Sequence, residues 1–374
     1  MKKIILILSL FLSFQAMALP IPSAPNLNAR SYHLTDFHSG EVLASKDPDL
    51  KLAPASMTKI MTALIVFREL NHGNLNLTDQ VRISEKAWRT PGSRMFVEVN
   101  KFVSIDDLIH GMLVQSGNDA TVALAEHIAG DEATFAQLMN QVAKELGMTN
   151  SHFTNSSGLP DEQHYTSAKD LSILTRAMII ESPELYKINA IKEFTFNGIT
   201  QQNRNKLLWR DSTVDGVKTG HTEEAGYCLV SSAVRDNMRL ISVVMGTDGI
   251  ESRNDINQTL LNYGYRFYKT HLLYKSQQAL TNARIWKGAV KNLPVGLSKN
   301  LYLTIPRNEY KSLDASLELT PRLLAPIKKG AIVGTAVIKL KGEVIAKRPL
   351  TALQDIPEGS FMDRLKDEAL LMLE

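Results

Sequence analysis

The sequence predicts an α+β protein: an antiparallel sheet flanked by helices with a helical subdomain, followed by a small all-β domain and a C-terminal amphipathic helix. Three observations carry this. The β-branched runs at 229–234 and 238–245 face each other across the polar turn Arg235-Asp236-Asn237, as a hairpin does. Apolar residues at helical spacing fill the chain before that hairpin, and a second hairpin precedes them. After about Lys275 the texture changes to short strands parted by Pro and Gly. Strands split along the chain with helices between them indicate a layered architecture.

Residues 1–18 combine a basic start (Lys2-Lys3), an apolar stretch over 4–14 and the small-residue site Ala16-Met17-Ala18. They read as a secretory signal peptide, so export is expected, with the mature chain starting near Leu19. Residues 31–34 and 41–44 around His38-Ser39-Gly40 form the first hairpin. Pro54 biases its neighbour away from helix. Met57, Ile60, Met61, Leu64, Ile65 and Phe67 then run at helical spacing to Leu70, and Asn71-His72-Gly73 stops the run. Two further helical runs, 108–115 and 119–127, are broken by Ser116-Gly117-Asn118. Lys218-Thr219-Gly220 is expected at the start of an edge strand beside the second hairpin, where Gly220 would let a substrate backbone approach closely. Arg253 to Tyr268 reads as a last helix covering the sheet.

The expected domains are 19–272, a β-rich unit over 273–356 and the terminal helix over 357–374. In that helix Phe361, Met362, Leu365, Ala369, Met372 and Leu373 share one face, which suits a membrane surface or the β-rich domain. Over 360–374 the two basic and four acidic residues are the wrong sign for anionic lipid. No later apolar stretch is long enough to span a bilayer.

Without Lys2 and Lys3 the basic count of 42 falls to 40 against 39 acidic residues, which gives no argument for a nucleic-acid partner. The single cysteine, Cys228, excludes an internal disulfide, and its apolar strand makes it a core residue. No Cys/His cluster has metal spacing, and His110 and His127 read as packed residues of apolar helices.

The chemistry lies in three motifs in fixed order: Ser56-Met57-Thr58-Lys59, Ser116-Gly117-Asn118 and Lys218-Thr219-Gly220. Each alone is weak. S-x-x-K arises by chance about once in 250–300 positions on average residue usage, and it also describes an N-cap serine with a solvated lysine. S-x-N recurs at 252–254 and 298–300, and fits an ordinary helix–helix turn. Order and context raise the set above its parts. Ser56 sits at a helix N-terminus, where free N–H groups favour a developing oxyanion. Lys59 lies one turn on, on the same face.

With these residues the chain resembles the low-molecular-mass penicillin-binding proteins of the D-alanyl-D-alanine carboxypeptidase class, whose signature set is S-x-x-K, S-x-N and K-T-G. The likeness extends over Gln115-Ser116-Gly117-Asn118-Asp119-Ala120, Asn203-Arg204-Asn205-Lys206-Leu207-Leu208-Trp209, Lys218-Thr219-Gly220-His221-Thr222 and the β-rich C-terminal domain. It implies a β-lactamase/transpeptidase-like fold over 19–272 and a periplasmic enzyme that trims terminal D-alanine from peptidoglycan stem peptides ending in D-Ala-D-Ala. It also implies β-lactams as covalent inhibitors, contact with the inner membrane through the tail helix, and no metal or cofactor.

The resemblance assigns roles. Ser56 is the nucleophile, Lys59 its base and Ser116 the proton relay to the leaving D-alanine. Asn118 holds the substrate amide and Lys59; Lys218, Thr219 and Arg253 engage the terminal carboxylate; Gly220 and His221 complete the substrate-binding set. The backbone N–H groups of Ser56 and His221 form the oxyanion hole. A DD-endopeptidase that cuts cross-links, a weak β-lactamase and a wall-binding protein without turnover are the alternatives. The E-x-x-L-N motif that supports rapid deacylation in class A β-lactamases is absent, and Glu162 is only a positional stand-in.

Overall fold

The computed structural model describes residues 22–373, so the predicted signal peptide lies outside the described residues. Two compact units are present, one built from residues 24–278 with 297–304, the other from 279–296 with 305–373.

The first unit is organised on a five-stranded antiparallel sheet. Its strands are β1 (Ser31–Asp36), β2 (Val42–Lys46), β5 (Val214–Thr222), β6 (Gly226–Arg235) and β7 (Met238–Thr247), in the order β2-β1-β7-β6-β5. A short outlying hairpin, β3 (Glu193–Phe196) and β4 (Ile199–Gln202), precedes β5. Side chains alternate across a strand, so the central strands carry two apolar faces. Ile241, Val243 and Met245 of β7, with Val230 of β6, join the core of the helical layer. From the other face Leu34, Leu43 and Leu240 pack on Gly264 of helix α6 (Ile250–Phe267).

The helical layer surrounds α1 (Lys59–Asn71), which is buried from Lys59 to Phe67. Around it stand α2 (Ile105–Leu113), α3 (Asn118–Ala129), α4 (Glu132–Leu146) and α5 (Ala168–Glu181). Ser104, Asp131 and Ser167 cap α2, α4 and α5 by accepting a backbone N–H of the first turn. The break between α2 and α3 falls at residues 114–117, and Asn118 opens α3.

Several expectations need correction. Strand β5 begins at Val214, so Lys218-Thr219-Gly220 lies in its second half rather than at its start. Helix α6 stops at Phe267, and the chain continues as strand β8 (Tyr268–Tyr274), which pairs with β11 (Leu301–Pro306). His127 is exposed, not packed; His110 is half-buried and stacks on Phe194.

The second unit holds a six-stranded sheet in the order β12-β14-β15-β10-β9-β13. The strands are β9 (Thr281–Trp286), β10 (Asn292–Gly296), β12 (Leu313–Leu319), β13 (Leu323–Leu324), β14 (Ile332–Leu340) and β15 (Glu343–Ala352). Only β9 and β13 pair in parallel. The terminal helix α7 (Phe361–Leu371) opens with a capping box between Ser360 and Asp363. It docks by its polar side: buried Asp367 accepts from the Lys287 N–H and from Lys291 Nζ, and Glu368 pairs with Lys287. The apolar face is turned outward, with Phe361 70% and Met372 79% exposed.

Candidate active site

The three motifs converge on one cavity of about 630 Å³, lined by Ser56, Ser116, Arg204, Thr219, Gly220, His221 and Arg253 among others. Ser56 sits in a 3-10 turn, Ala55–Thr58, immediately before α1, and Ala55 there has φ +48°. Ser116 has φ +66°. Non-glycine residues in this region are strained, and such strain persists where packing over-determines it.

Lys59 is fully buried at the head of α1. Its Nζ lies 2.9 Å from Ser56 Oγ, 2.7 Å from Asn118 Oδ1 and 2.8 Å from the Ser157 carbonyl oxygen. The latter two oxygens can only accept. A neutral amine has two hydrogens and one lone pair, so both hydrogens go to those oxygens and the lone pair faces the Ser56 hydroxyl. Burial, with Arg204 nearby, holds the Lys59 pKa down to about 7, against a smaller opposing pull from Asp119. A buried serine–amine pair of this kind can deprotonate a hydroxyl near neutral pH.

Asn118 is oriented by donation from Nδ2 to the Pro91 carbonyl at 2.6 Å, which leaves Oδ1 toward Lys59. Asp119 fixes the loop beside it, accepting from the N–H groups of Met95, Phe96 and Val97. Lys218 Nζ donates to Ser116 Oγ at 2.9 Å. Burial first, then Lys59, Arg204 and Arg253, pushes the Lys218 pKa well below its ordinary value.

Arg253 is buried over the Tyr227 ring; its Nη1 donates to the Gly220 and Cys228 carbonyls, and its Nε is buried without a partner. Burial lowers its pKa as well. His221 is exposed and packs on Tyr227. The cavity thus gathers the basic groups Arg204, Lys218 and Arg253, for which no carboxylate partner is present among the described residues, and this suits an anionic ligand.

Gly220 lines the cavity and is also close to the nucleophile turn. A Cβ there would lie 2.7 Å from the Pro54 carbonyl oxygen and 3.2 Å from Met57 Cγ. Its hydrogen allows β5 to close on the nucleophile turn. Cys228 is buried in β6, as expected.

Two groups in this site were not assigned from sequence. The Ser157 carbonyl is a backbone atom and leaves no side-chain signature. Arg204 lies at the cavity wall between Asn203 and Asn205; Asn205 Nδ2 donates to the Gly216 carbonyl and so ties this segment to β5. The run of six polar residues, 201–206, before Leu207-Leu208 is the available signal.

Comparison with known proteins shows the family. The family described as D-alanyl-D-alanine carboxypeptidase matches residues 19–249. The chain belongs to that family. Residues 268–358 match the penicillin-binding protein 5 C-terminal domain. The D-alanyl-D-alanine carboxypeptidase DacA of Escherichia coli K12 is 42% identical over 360 residues, covering 94% of this chain and 89% of that protein. DacF of Bacillus subtilis is 37% identical, covering 90% and 88%. The crystal structure of penicillin-binding protein 5 from Haemophilus influenzae superposes with a TM-score of 0.88 at 40% identity, over 90% of this chain and all of that one. This D-alanyl-D-alanine carboxypeptidase family member therefore has the penicillin-binding protein 5 fold, including its all-β C-terminal domain.

Proposed function

We propose that this enzyme is a periplasmic serine carboxypeptidase that removes the terminal D-alanine from peptidoglycan stem peptides through an acyl-enzyme on Ser56, and that β-lactams trap it by acylating the same hydroxyl. The observation that supports this most is the Lys59 amine, 2.9 Å from Ser56 Oγ and with both other contacts to acceptor-only oxygens.

In this reading Lys59 takes the Ser56 proton as Oγ attacks the D-Ala-D-Ala carbonyl. The N–H groups of Ser56 and His221 receive the oxyanion; His221 is on an edge strand, where alternate N–H groups are unpaired. Ser116, bonded to Lys218, returns a proton to the departing amine. Lys218, Thr219 and Arg253 bind the terminal carboxylate, and Asn118 directs Lys59 with one amide hydrogen left for the substrate. A solved relative, penicillin-binding protein D2 from Listeria monocytogenes, was crystallised in an ampicillin-bound form, which supports the same chemistry for β-lactams here.

The unit of residues 24–278 with 297–304 would carry the reaction, while the β-rich unit ends in the tail helix α7 (Phe361–Leu371). The outward apolar face of α7 supports peripheral contact with the outer face of the inner membrane. Among the described residues no helix is long and apolar enough to cross a membrane. Co-sedimentation with anionic vesicles, with and without residues 358–374, tests that contact; equal binding by both forms would dismiss it.

The activity is tested with a cross-linked muropeptide that carries a free pentapeptide end, its products followed by mass. Loss of one alanine with the cross-link intact supports the carboxypeptidase. Cleavage of the cross-link would replace it with an endopeptidase.

A further inference from the structure

Lys59 depends on the Ser157 carbonyl, and the loop that carries this oxygen is held from two sides. Asn155 Oδ1 accepts from the N–H groups of Ser157 (3.2 Å), Gly158 (2.7 Å) and Leu159 (3.1 Å), which folds residues 155–159 into a tight turn. Gly158 has φ +86°, and a Cβ on it would fall 1.8 Å from the Ala55 carbonyl oxygen, so the loop touches the nucleophile turn. On the far side the Ser156 N–H and hydroxyl donate to Glu132, and its carbonyl accepts from Thr62 Oγ1.

On the near side one ring bridges loop and turn. His164 is buried, with Nε2 2.8 Å from Thr58 Oγ1 and Nδ1 3.1 Å from the Thr154 backbone nitrogen. A backbone N–H only donates, so Nδ1 bears the lone pair and the proton is on Nε2. The Thr58 hydroxyl is therefore the acceptor, one residue before Lys59. The ring edge also packs on Phe153 at 5.6 Å. Burial keeps this imidazole neutral, with its pKa lowered to about 4.

We propose that His164 is a positioning residue of the reaction: by tying Thr154 to Thr58 it fixes the Ser157 carbonyl against Lys59 Nζ and so aims the Lys59 lone pair at Ser56. The inference rests on Lys59 acting as the base. Glu132 secures the loop but not the turn, and Thr62 holds the Ser156 carbonyl to α1; the His164 bridge adds the tie to the nucleophile turn itself. If the bridge is cut, one hydrogen of Lys59 loses its fixed acceptor and the lone pair samples directions away from the hydroxyl. Loss of near-attack geometry on that scale costs on the order of a hundredfold in rate.

The test compares His164→Leu, which keeps an apolar side chain in the pocket without the bonds, with His164→Gln, which keeps one acceptor and one donor. Thr58→Val cuts the same bridge from the other end. Each is assayed on an N-acylated tripeptide ending in D-Ala-D-Ala at pH 9, where the base is already neutral. The expected result is a tenfold or greater loss of kcat in His164→Leu and in Thr58→Val, with KM within twofold. His164→Gln should recover to within threefold of wild type, and the Leu/Val double variant should be no worse than the poorer single one. A loss under tenfold, equal impairment of His164→Gln, or additive losses in the double variant would overturn the proposal. If His164→Leu does not fold by circular dichroism, Thr58→Val alone decides by the same threshold. No D-alanine from the wild type would instead strike at the function proposed above.

Discussion

The Lys59 amine and the Ser56 hydroxyl stand 2.9 Å apart in a pocket where every other partner of the amine is an obligate acceptor. That relationship makes the neutral amine the productive form. With the Lys59 pKa near 7, kcat/KM should fall about tenfold per pH unit below roughly pH 6 and level off above pH 8. The sign follows from the base, which must be unprotonated to accept the serine proton. A profile flat from pH 5 to 9 would remove Lys59 from this role.

Lys218 offers a proton-linked test of carboxylate binding. Burial first, then the neighbouring basic groups Lys59, Arg204 and Arg253, disfavour its charged form, and an arriving carboxylate favours it. A non-hydrolysed D-Ala-D-Ala peptide binding to Ser56→Ala should therefore be accompanied by proton uptake. Calorimetry in buffers of different ionisation enthalpy would measure this. Lys218→Gln should abolish the uptake; binding without proton exchange in the Ser56→Ala protein would contradict the assignment.

Gly220→Ala should harm the enzyme without touching any polar group. The new methyl would sit 2.7 Å from the Pro54 carbonyl and must push β5 off the nucleophile turn. Overpacking of this kind costs about 1–3 kcal/mol. We expect a lower melting temperature together with a tenfold or greater fall in penicillin acylation. Unchanged acylation would show that the strand and turn tolerate separation.

Acid should destabilise the fold before its carboxylates titrate. His33 and His164 are buried, and desolvation lowers both from 6.5 to about 4. Between those values the unfolded chain binds more protons than the folded one. Stability is thus intact above pH 6.5 and declines as pH falls toward 4, by roughly 3 kcal/mol for each group at most. Urea midpoints at pH 7, 5.5 and 4 measure the loss, and His33→Gln with His164→Gln should flatten it. An unchanged slope in that double variant would assign the loss to other groups.

What the sequence reveals here depends on whether a side chain states its own reason. Ser56, Lys59, Ser116 and Lys218 are legible because the reaction needs those groups at fixed spacing. The central strands are legible because β7 alternates between two apolar layers. Strands β9 and β10 are not, since Arg284, Asn292 and Pro294 interrupt any clean period. Helix α7 reads as amphipathic, yet its docking through Asp367 depends on Lys287 and Lys291 in a distant segment. Ser157 acts through its carbonyl, and only the folded loop places that oxygen on Lys59.

The most direct measurement is the mass of the protein during turnover and after exposure to penicillin. Wild type should gain one acyl group, mapped by proteolysis to the peptide containing Ser56, and should release a single D-alanine from a pentapeptide. Ser56→Ala should show neither. An adduct that persists in Ser56→Ala, or D-alanine release without an acylated Ser56, would contradict the account.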